Sequence, residues 1–316
     1  MDMTSERNET EPTDPGAEVE REILVRLLET WAPAALHRAR RATYVHGYAD
    51  ADGGRLAEAA LRVFAEQSDL VRGRELTMLA VGTDVTELAS RLAAVQTGAS
   101  PGLAVHTVPG GTDAGLGVAL KALGGSRVPM LGFLDASSAS APPAPATLAA
   151  LAAGKPAEIL LVLAAAAVQD VDGYRAALGD AGFPLAVAVE LATDERPGRL
   201  LIFATTQGKS LEAVKDLLWA VDEYAGVRYR DPGDPDRHLI DISLNPHPGP
   251  LRRELLRHLA GVGEATVTEL RTFTLTETVY RAADAVRVLH TLIESGAVTR
   301  RPEHGRLGGD VVIAAE

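Results

Sequence analysis

Leu185-Ala-Val-Ala-Val-Glu-Leu191, Thr193-Asp-Glu-Arg-Pro-Gly198 and Arg199-Leu-Leu-Ile-Phe-Ala-Thr205 lie almost end to end in this chain. The outer pieces are apolar runs of strand length, and the middle one is a turn of polar, Pro and Gly residues. Parallel strands need a crossover of roughly a dozen residues or more, so these two must pair antiparallel. Upstream the pattern differs. Strand-like runs at Thr43–His46, Leu76–Val81, Leu103–Val108, Met130–Leu134 and Ile159–Leu163 alternate with helical runs at Leu56–Glu66, Thr86–Val95, Leu116–Leu123 and Ala144–Ala152. That alternation is the signature of a parallel, doubly wound sheet. A further helical run, Val171–Ala181, leads into Leu185. The expectation is an α/β fold of seven strands, the last antiparallel.

That count and order are those of a class I methyltransferase-like doubly wound sheet; a plain dinucleotide-binding sheet more often finishes on a parallel sixth strand. A helical period at Glu20–Leu36 precedes the sheet, and another at Ser210–Tyr224 follows it. Two Pro- and Gly-rich linkers come next, Arg230–Arg237 and Asn245–Pro250, with a strand-like run at His238–Leu244 between them. From Leu251 the order suggests a C-terminal winged-helix domain. Helix one is Leu251–Leu259, and Thr266–Arg271 opens helix two. Thr276 or Thr278 caps helix three, which Gly296 closes. Strands Ala297–Arg301 and Val311–Ala314 flank a wing at His304–Gly309. The expected division is an acidic disordered leader over 1–20, a methyltransferase-type domain over 21–245 and a winged-helix-like domain over 246–316.

With 316 residues, 46% of them hydrophobic and 4% aromatic, the core must be built from Ala, Val and Leu. No apolar run reaches the roughly 18 residues of a membrane span. The absence of cysteine removes disulfides and thiolate chemistry and fits a reducing cytoplasm. Eight scattered histidines, none paired at helical ligand spacing, argue against a zinc enzyme, so no metal is expected. Half of the net charge of −12 falls in residues 1–20, which hold seven acids and one arginine. Leu251–Arg306 has nine arginines against seven acids, so basicity is local and no general nucleic-acid surface is indicated. Arginine outnumbers lysine 27 to 4, which points to a GC-rich, bacterial genome.

The candidate ligand site is the first strand-to-helix turn, Arg41-Ala-Thr-Tyr-Val-His-Gly-Tyr-Ala-Asp-Ala-Asp-Gly-Gly54. Glycines there let a ligand approach the backbone, and the following helix offers free N–H groups. Two carboxylates, Asp50 and Asp52, would repel a phosphate and suit a ribose hydroxyl, an amine or a sulfonium. Gly47, Asp50, Asp52, Gly53 and Gly54 are therefore candidates for binding S-adenosylmethionine, against the alternative of an ordinary Asp/Gly turn capping a helix.

Several segments resemble the three-Cys-motif partner proteins (TcmP), Rossmann-like relatives of methyltransferases named after a neighbouring protein with three cysteines. Tyr44-Val-His-Gly-Tyr-Ala-Asp-Ala-Asp-Gly53 matches the family's opening strand and turn, Y-I-D-G-F-A-G-P-G. Leu79–Asp84 matches F-V-E-K-D, and Phe133–Ser138 matches F-L-D-P-F-G. Leu201-Ile-Phe-Ala-Thr205 with Ser210–Asp222 matches a later L-V-F-A-T…M-W-x-V-D segment, and Phe273–Thr278 resembles the tail. The resemblance spans most of residues 20–315. It implies a methyltransferase-type scaffold that binds S-adenosylmethionine and works with a protein partner. This chain departs from the family where chemistry would be. His46 replaces the strand-one aspartate, and Asp50-Ala-Asp replaces Gly-Pro-Gly. Gly82 stands where strand two should end in a ribose-binding acid, and Ala136-Ser-Ser replaces Pro-Phe-Gly.

The remaining candidates each carry two readings. Asp84 is a ligand contact or the N-cap of the helix at Thr86. Asp135 ends a central strand, where sites form in such sheets. His46 is a general base or a half-buried strand residue. Pro109–Asp113 shapes an adenine pocket or is a common loop. Lys209 and Lys215 are two of only four lysines; Lys209, at a helix start, contacts phosphate or a partner, and Trp219 packs helix on sheet or stacks on a ligand. Arg281 and Arg287, with Asp284 and His290 on the same helix, contact DNA or a partner, or belong to a solvated face. Two functions follow: an S-adenosylmethionine-dependent enzyme or binding domain, or a silent relative acting through the winged helix on DNA or in protein assembly.

Overall fold

The computed structural model describes residues 14–315 except 68, 70, 97–100, 126, 193–197, 222–227, 235 and 241–248. The turn Thr193–Pro197, the boundary near Pro246 and the strand-like residues 241–244 lie outside the described residues.

Helix α1 (Pro15–Arg38) comes first, followed by β1 (Arg41–Gly47), α2 (Arg55–Glu66), β2 (Glu75–Val81), α3 (Thr86–Gln96), β3 (Leu103–Val108), α4 (Thr112–Ala122), β4 (Met130–Ala136), α5 (Pro145–Ala152) and β5 (Ala157–Ala164). Then α6 (Val171–Ala181) leads to β6 (Leu185–Ala192), β7 (Arg199–Thr205), α7 (Gly208–Ala220), β8 (Arg228–Arg230) and β9 (Leu239–Ile240). The main sheet runs β3-β2-β1-β4-β5-β7-β6-β8-β9. Strands β1 to β5 pair parallel, while β7 is antiparallel to both β5 and β6. This is an α/β fold with the strand order of class I methyltransferases. The short connection makes β6 and β7 antiparallel neighbours, and β7 lies between β5 and β6.

Seven strands were expected in the sheet, and among the described residues the main sheet has nine. β8 escapes a hydrophobic reading because it is short and charged, and β9 lies within the strand-like run expected at His238–Leu244 but was not counted into the sheet. β8 is Arg-Tyr-Arg, and its pairing is set from afar, with Glu190 of β6 meeting Arg230 at 3.8 Å and Arg237 at 2.9 Å. The disordered leader expected over 1–20 is corrected at its end, because Asp14 caps α1 and residues 15–20 belong to the helix; residues 1–13 lie outside the described residues. The Asp14 side chain accepts from Gly16 N at 3.0 Å, and Pro15 opens the helix at a position where its missing N–H costs nothing. Acidic composition hid that start, since Glu20 is buried against Arg199 at 3.0 Å.

The C-terminal part contains α8 (Gly249–Val262), β10 (Glu264–Thr266), α9 (Val267–Glu277), α10 (Ala282–Glu294), β11 (Val298–Arg301) and β12 (Val312–Ala315), with sheet order β10-β12-β11. Thr266 and Glu269 form a capping box at the start of α9. Neither Thr276 nor Thr278 caps the next helix. Thr276 lies inside α9, and Arg281 stands at the N-cap of α10. Apolar residues of α8, α9 and α10 join the same buried cluster as α1, α2 and α7. Among the described residues no helix is long and apolar enough to cross a membrane.

Candidate functional site

β1 pairs with β2 on one side and β4 on the other, so the chain changes winding direction there and opens a crevice at the strands' C-terminal ends. The turn after β1 needs unusual backbone. Tyr48 sits at φ 53°, and Gly53 and Gly54 at 71° and 83°. Gly47 is required for a different reason. A Cβ there would stand 2.2 Å from Leu134 Cδ2 and 2.8 Å from Thr112 Cγ2. Thr112, at the start of α4, ties the crevice together by accepting from Tyr48 N at 2.7 Å and donating to Val81 O at 3.2 Å.

The acids of the turn are anchored by backbone donors. Asp52 accepts from Gly54 N at 2.8 Å and Leu56 N at 2.7 Å, which makes it the side-chain cap of α2. Asp84 accepts from Thr86 N at 3.0 Å, and that bond holds its carboxyl below the usual range. Asp50 reaches across to the end of β2, where its Oδ2 accepts from Thr83 N at 2.9 Å and Asp84 N at 3.0 Å. Its Oδ1 lies 2.4 Å from where a Cβ on Gly82 would be, and its Cγ 2.9 Å. The carboxylate of residue 50 therefore fills the space of a side chain at residue 82.

At the end of β4, Asp135 is 8% exposed and accepts from Ser137 N at 3.1 Å and Ser137 Oγ at 2.6 Å. Arg199, at the start of β7, pairs with Asp14 at 2.8 Å and Glu20 at 3.0 Å. Burial pushes the Glu20 carboxyl up to about 8 against the pull of Arg199, and the nearby charges of Asp135 and Asp14 add to the rise. His46 is 1% exposed. Its Nδ1 bonds Tyr44 Oη at 2.8 Å, and its ring lies 4.9 Å from Phe133. Burial lowers it to about 4, so it is a neutral ring inside the sheet's packing. In the loop after β3, Gly110 and Gly111 take φ of 100° and 91° with open space where a Cβ would be. Asp113 bonds Tyr48 Oη, Ala144 N and Thr147 Oγ1, linking α4 to α5.

Sequence reasoning brings Gly47, Asp50, Asp52, Gly53, Gly54, Asp84 and Asp135 to one edge of the sheet. It does not find Thr83, Glu20 or Arg199, whose roles depend on contacts 33 to 185 residues apart, and it names Thr112 only as part of the Pro109–Asp113 loop, without its contacts to Tyr48 and Val81.

The C-terminal candidates lie elsewhere. Arg281 is 14% exposed in its side chain. It binds Asp284 and sits 5.3 Å over the Trp219 ring, facing α7. Arg287 also binds Asp284, at 2.7 Å. Lys215 is fully buried. Lys209 is exposed at the start of α7. Asp234, Asp236 and His238 bring their ligand atoms within 4.8 Å of one another, a cluster that the sequence spacing did not suggest. Asp234 is already satisfied by the backbone N–H groups of Asp236 and His238 and by the His238 ring.

No family model matches the chain, and no curated protein does. Solved structures with a similar arrangement include human methyltransferase-like protein 13 in complex with SAH, at 19% identity and TM-score 0.38, covering 65% of this chain and 91% of that one. Precorrin-6y C5,15-methyltransferase from Geobacter metallireducens is 13% identical with TM-score 0.34, covering 58% and 86%. Phosphoethanolamine N-methyltransferase 1 from Haemonchus contortus is 11% identical with TM-score 0.36; the match covers 60% of this chain and 44% of that one. Likenesses this coarse leave the strand order itself to carry the fold.

Proposed function

We propose that the chain is an S-adenosylmethionine-binding, methyltransferase-like protein of the three-Cys-motif partner kind, in which the ribose-binding carboxylate has moved from the end of β2 to the turn after β1. The carrying observation is Asp50. Residue 82, where the resemblance places an acid, is glycine, and the Asp50 carboxylate occupies the space that glycine leaves. Two backbone donors fix its Oδ2, and further lone pairs stay available for ribose hydroxyls. The open Gly110–Gly111 loop suits the base, and Asp135 remains at the end of β4 to orient an acceptor. S-adenosylmethionine, when bound, supplies an electrophilic methyl group on a sulfonium, a cation that a turn carrying Asp50, Asp52 and Asp84 accommodates.

Titration with S-adenosylhomocysteine tests the reading. Saturable binding with Kd below about 100 μM is expected. Asp50→Ala should weaken it at least about tenfold, as hydrogen bonds to a charged group contribute roughly 1.5–3 kcal/mol each. The double variant Asp50→Gly with Gly82→Asp should restore it, because the two atoms nearest that Cβ belong to the Asp50 side chain and are removed with it. Failure of the wild-type chain to bind at millimolar ligand removes the proposal.

The second reading, a silent relative acting in assembly or on DNA, is favoured by one observation: each of Asp50, Asp52 and Asp84 is already engaged by backbone N–H groups within the protein. The C-terminal order of three helices and three strands supports a winged helix. A protein surface suits it better than DNA, since Arg281 faces α7. Salt-dependent duplex binding lost in Arg281→Ala/Arg287→Ala would reverse that preference.

A further inference from the structure

β1 divides the crevice. On one side β2 and β3 adjoin the turn that holds Asp50; on the other lie β4, β5 and β7. In this second half, α1 packs in one cluster with Leu131 and Phe133 of β4, Leu160 and Val162 of β5, and Leu201 and Phe203 of β7. Side chains alternate along a strand, so the crevice end of that face carries Asp135 in β4, Ala164 in β5 and Arg199 in β7. The register sets Ala164 opposite Arg199, and His46 joins the row from β1 beside Phe133. Glu20 comes down on the row from α1, one turn before Ile23 and Leu24, and meets Arg199 at 3.0 Å.

The carboxylates of the row are buried and short of positive charge. Glu20 is 2% exposed and Asp135 8%. Each spends one oxygen. Glu20 Oε1 accepts from Arg199 Nη1, and Asp135 Oδ1 accepts from Ser137 N and Oγ. Their second oxygens make no hydrogen bond among the described residues. Arg199 divides its charge between Glu20 and Asp14, and His46, lowered by burial, is neutral at pH 7. After burial and Arg199, the charge of Asp135 is the next influence on Glu20, in keeping with the register. A buried carboxylate with too little cation is a standing cost that a bound cation removes.

The row also has space beside it. Ala164 has strands on both sides and yet stays partly exposed, as does Ala165, and Ala166 and Ala167 are exposed. Four alanines in succession leave room between Asp135 and Arg199, below the first turns of α1.

Given the adenosyl reading, which leaves this half of the crevice to the methyl acceptor, we infer that the acceptor is an organic amine received over Ala164 by Glu20 and Asp135, with Glu20 setting that preference. An ammonium offers three donors and no acceptor, which matches two buried oxygens that lack both a donor and a cation. A carboxylate or phosphate would meet net negative charge, and a neutral hydroxyl would leave that charge uncompensated. Methylation of such an amine exchanges an N–H bond for an N–CH3 bond while the sulfonium becomes a neutral thioether. The proton released passes to the Glu20 carboxylate.

The test titrates the full-length chain, by calorimetry, with S-adenosylhomocysteine and with sinefungin, in which an amino group stands where the transferable methyl would be. Sinefungin should bind at least about tenfold tighter. Glu20→Gln should reduce that preference at least about fivefold, whereas a merely structural role would weaken both ligands alike. On the wild-type chain at pH 7, sinefungin should displace a proton from Glu20 and S-adenosylhomocysteine should displace none, read in buffers of different ionisation enthalpy. That measurement does not depend on a variant folding. Binding of S-adenosylhomocysteine with no preference for sinefungin, a preference that survives Glu20→Gln, or equal proton release with the two ligands would each overturn the amine acceptor and leave the adenosyl reading standing. Failure of both ligands to bind at millimolar concentration removes the two together.

Discussion

The Lys215 ammonium, carried by α7, lies 2.6–3.2 Å from the carbonyl oxygens of Thr274, Leu275, Thr278 and Tyr280, at the end of α9 and the turn that follows it. The sequence marked this lysine only as one of four and gave it no role. The fold uses it to satisfy carbonyls that a helix end leaves without donors. Lys215→Met keeps the stem and removes the donors. Thr274 retains the Thr278 hydroxyl, but the other three carbonyls lose this donor. Relief of the buried charge offsets part of the loss, so the net destabilisation should be about 2 kcal/mol in urea unfolding at pH 7. Burial also lowers Lys215 to about 7 from 10.5. The unfolded chain then binds more protons between those values, so this group's contribution to stability rises with pH across that window. The Met variant should lose that rise. Residue types were legible in the sequence; their partners were not. Asp50 and Gly82 read as two separate departures from a family pattern, and only the approach of two loops makes one compensate for the other.

Helix α10 shows the same limit for an element. Its apolar face was readable from Val286, Leu289, Leu292 and Ile293, but not the direction of its basic residues. Asp284 is 2% exposed and accepts from Arg281 N, Nε and Nη2 and from Arg287 Nη2. Arg281 also covers Trp219, and so fastens the start of α10 to α7. Arg281→Ala should cost about 3 kcal/mol, because it leaves a buried carboxylate short of its partner. Arg287, with 40% of its side chain exposed, should cost under about 1 kcal/mol when replaced by Ala. Equal costs in denaturant titrations would show that Arg281 is not the fastening. Strands β1 to β7 were legible because their apolar runs are long and turns or helices separate them. β8 and β10 were not, since strands of three residues have no period to read and depend on neighbours for their existence; β9 was legible as part of the run His238–Leu244, but not its place beside β8.

At the scale of the whole molecule, α1 joins the two ends of the main sheet. Its C-terminus feeds β1, and its N-terminus meets Arg199 beside the end of β4 through Asp14 and Glu20. Glu20 is the costly member, since burial raises it to about 8 from 4.5 in spite of Arg199. The folded chain binds more protons than the unfolded one between those values. Stability from this group is therefore complete below pH 4.5 and is lost as pH rises through about 8. Glu254, raised to about 7, acts in the same direction. His46, lowered to about 4 from 6.5, opposes both, but only below pH 6.5. From pH 6.5 the fall should therefore dominate, and from about pH 7 the rise from Lys215 works against it, so the fall flattens toward pH 8. Glu20→Gln keeps the side chain's size and its hydrogen bond to Arg199 while removing the titration. The urea midpoint of the wild-type chain should drop from pH 6.5 to 8, and that of the variant should drop less. Parallel midpoint curves for the two proteins would mean that Arg199 keeps Glu20 ionised throughout, and that the anchor of α1 is an ordinary ion pair.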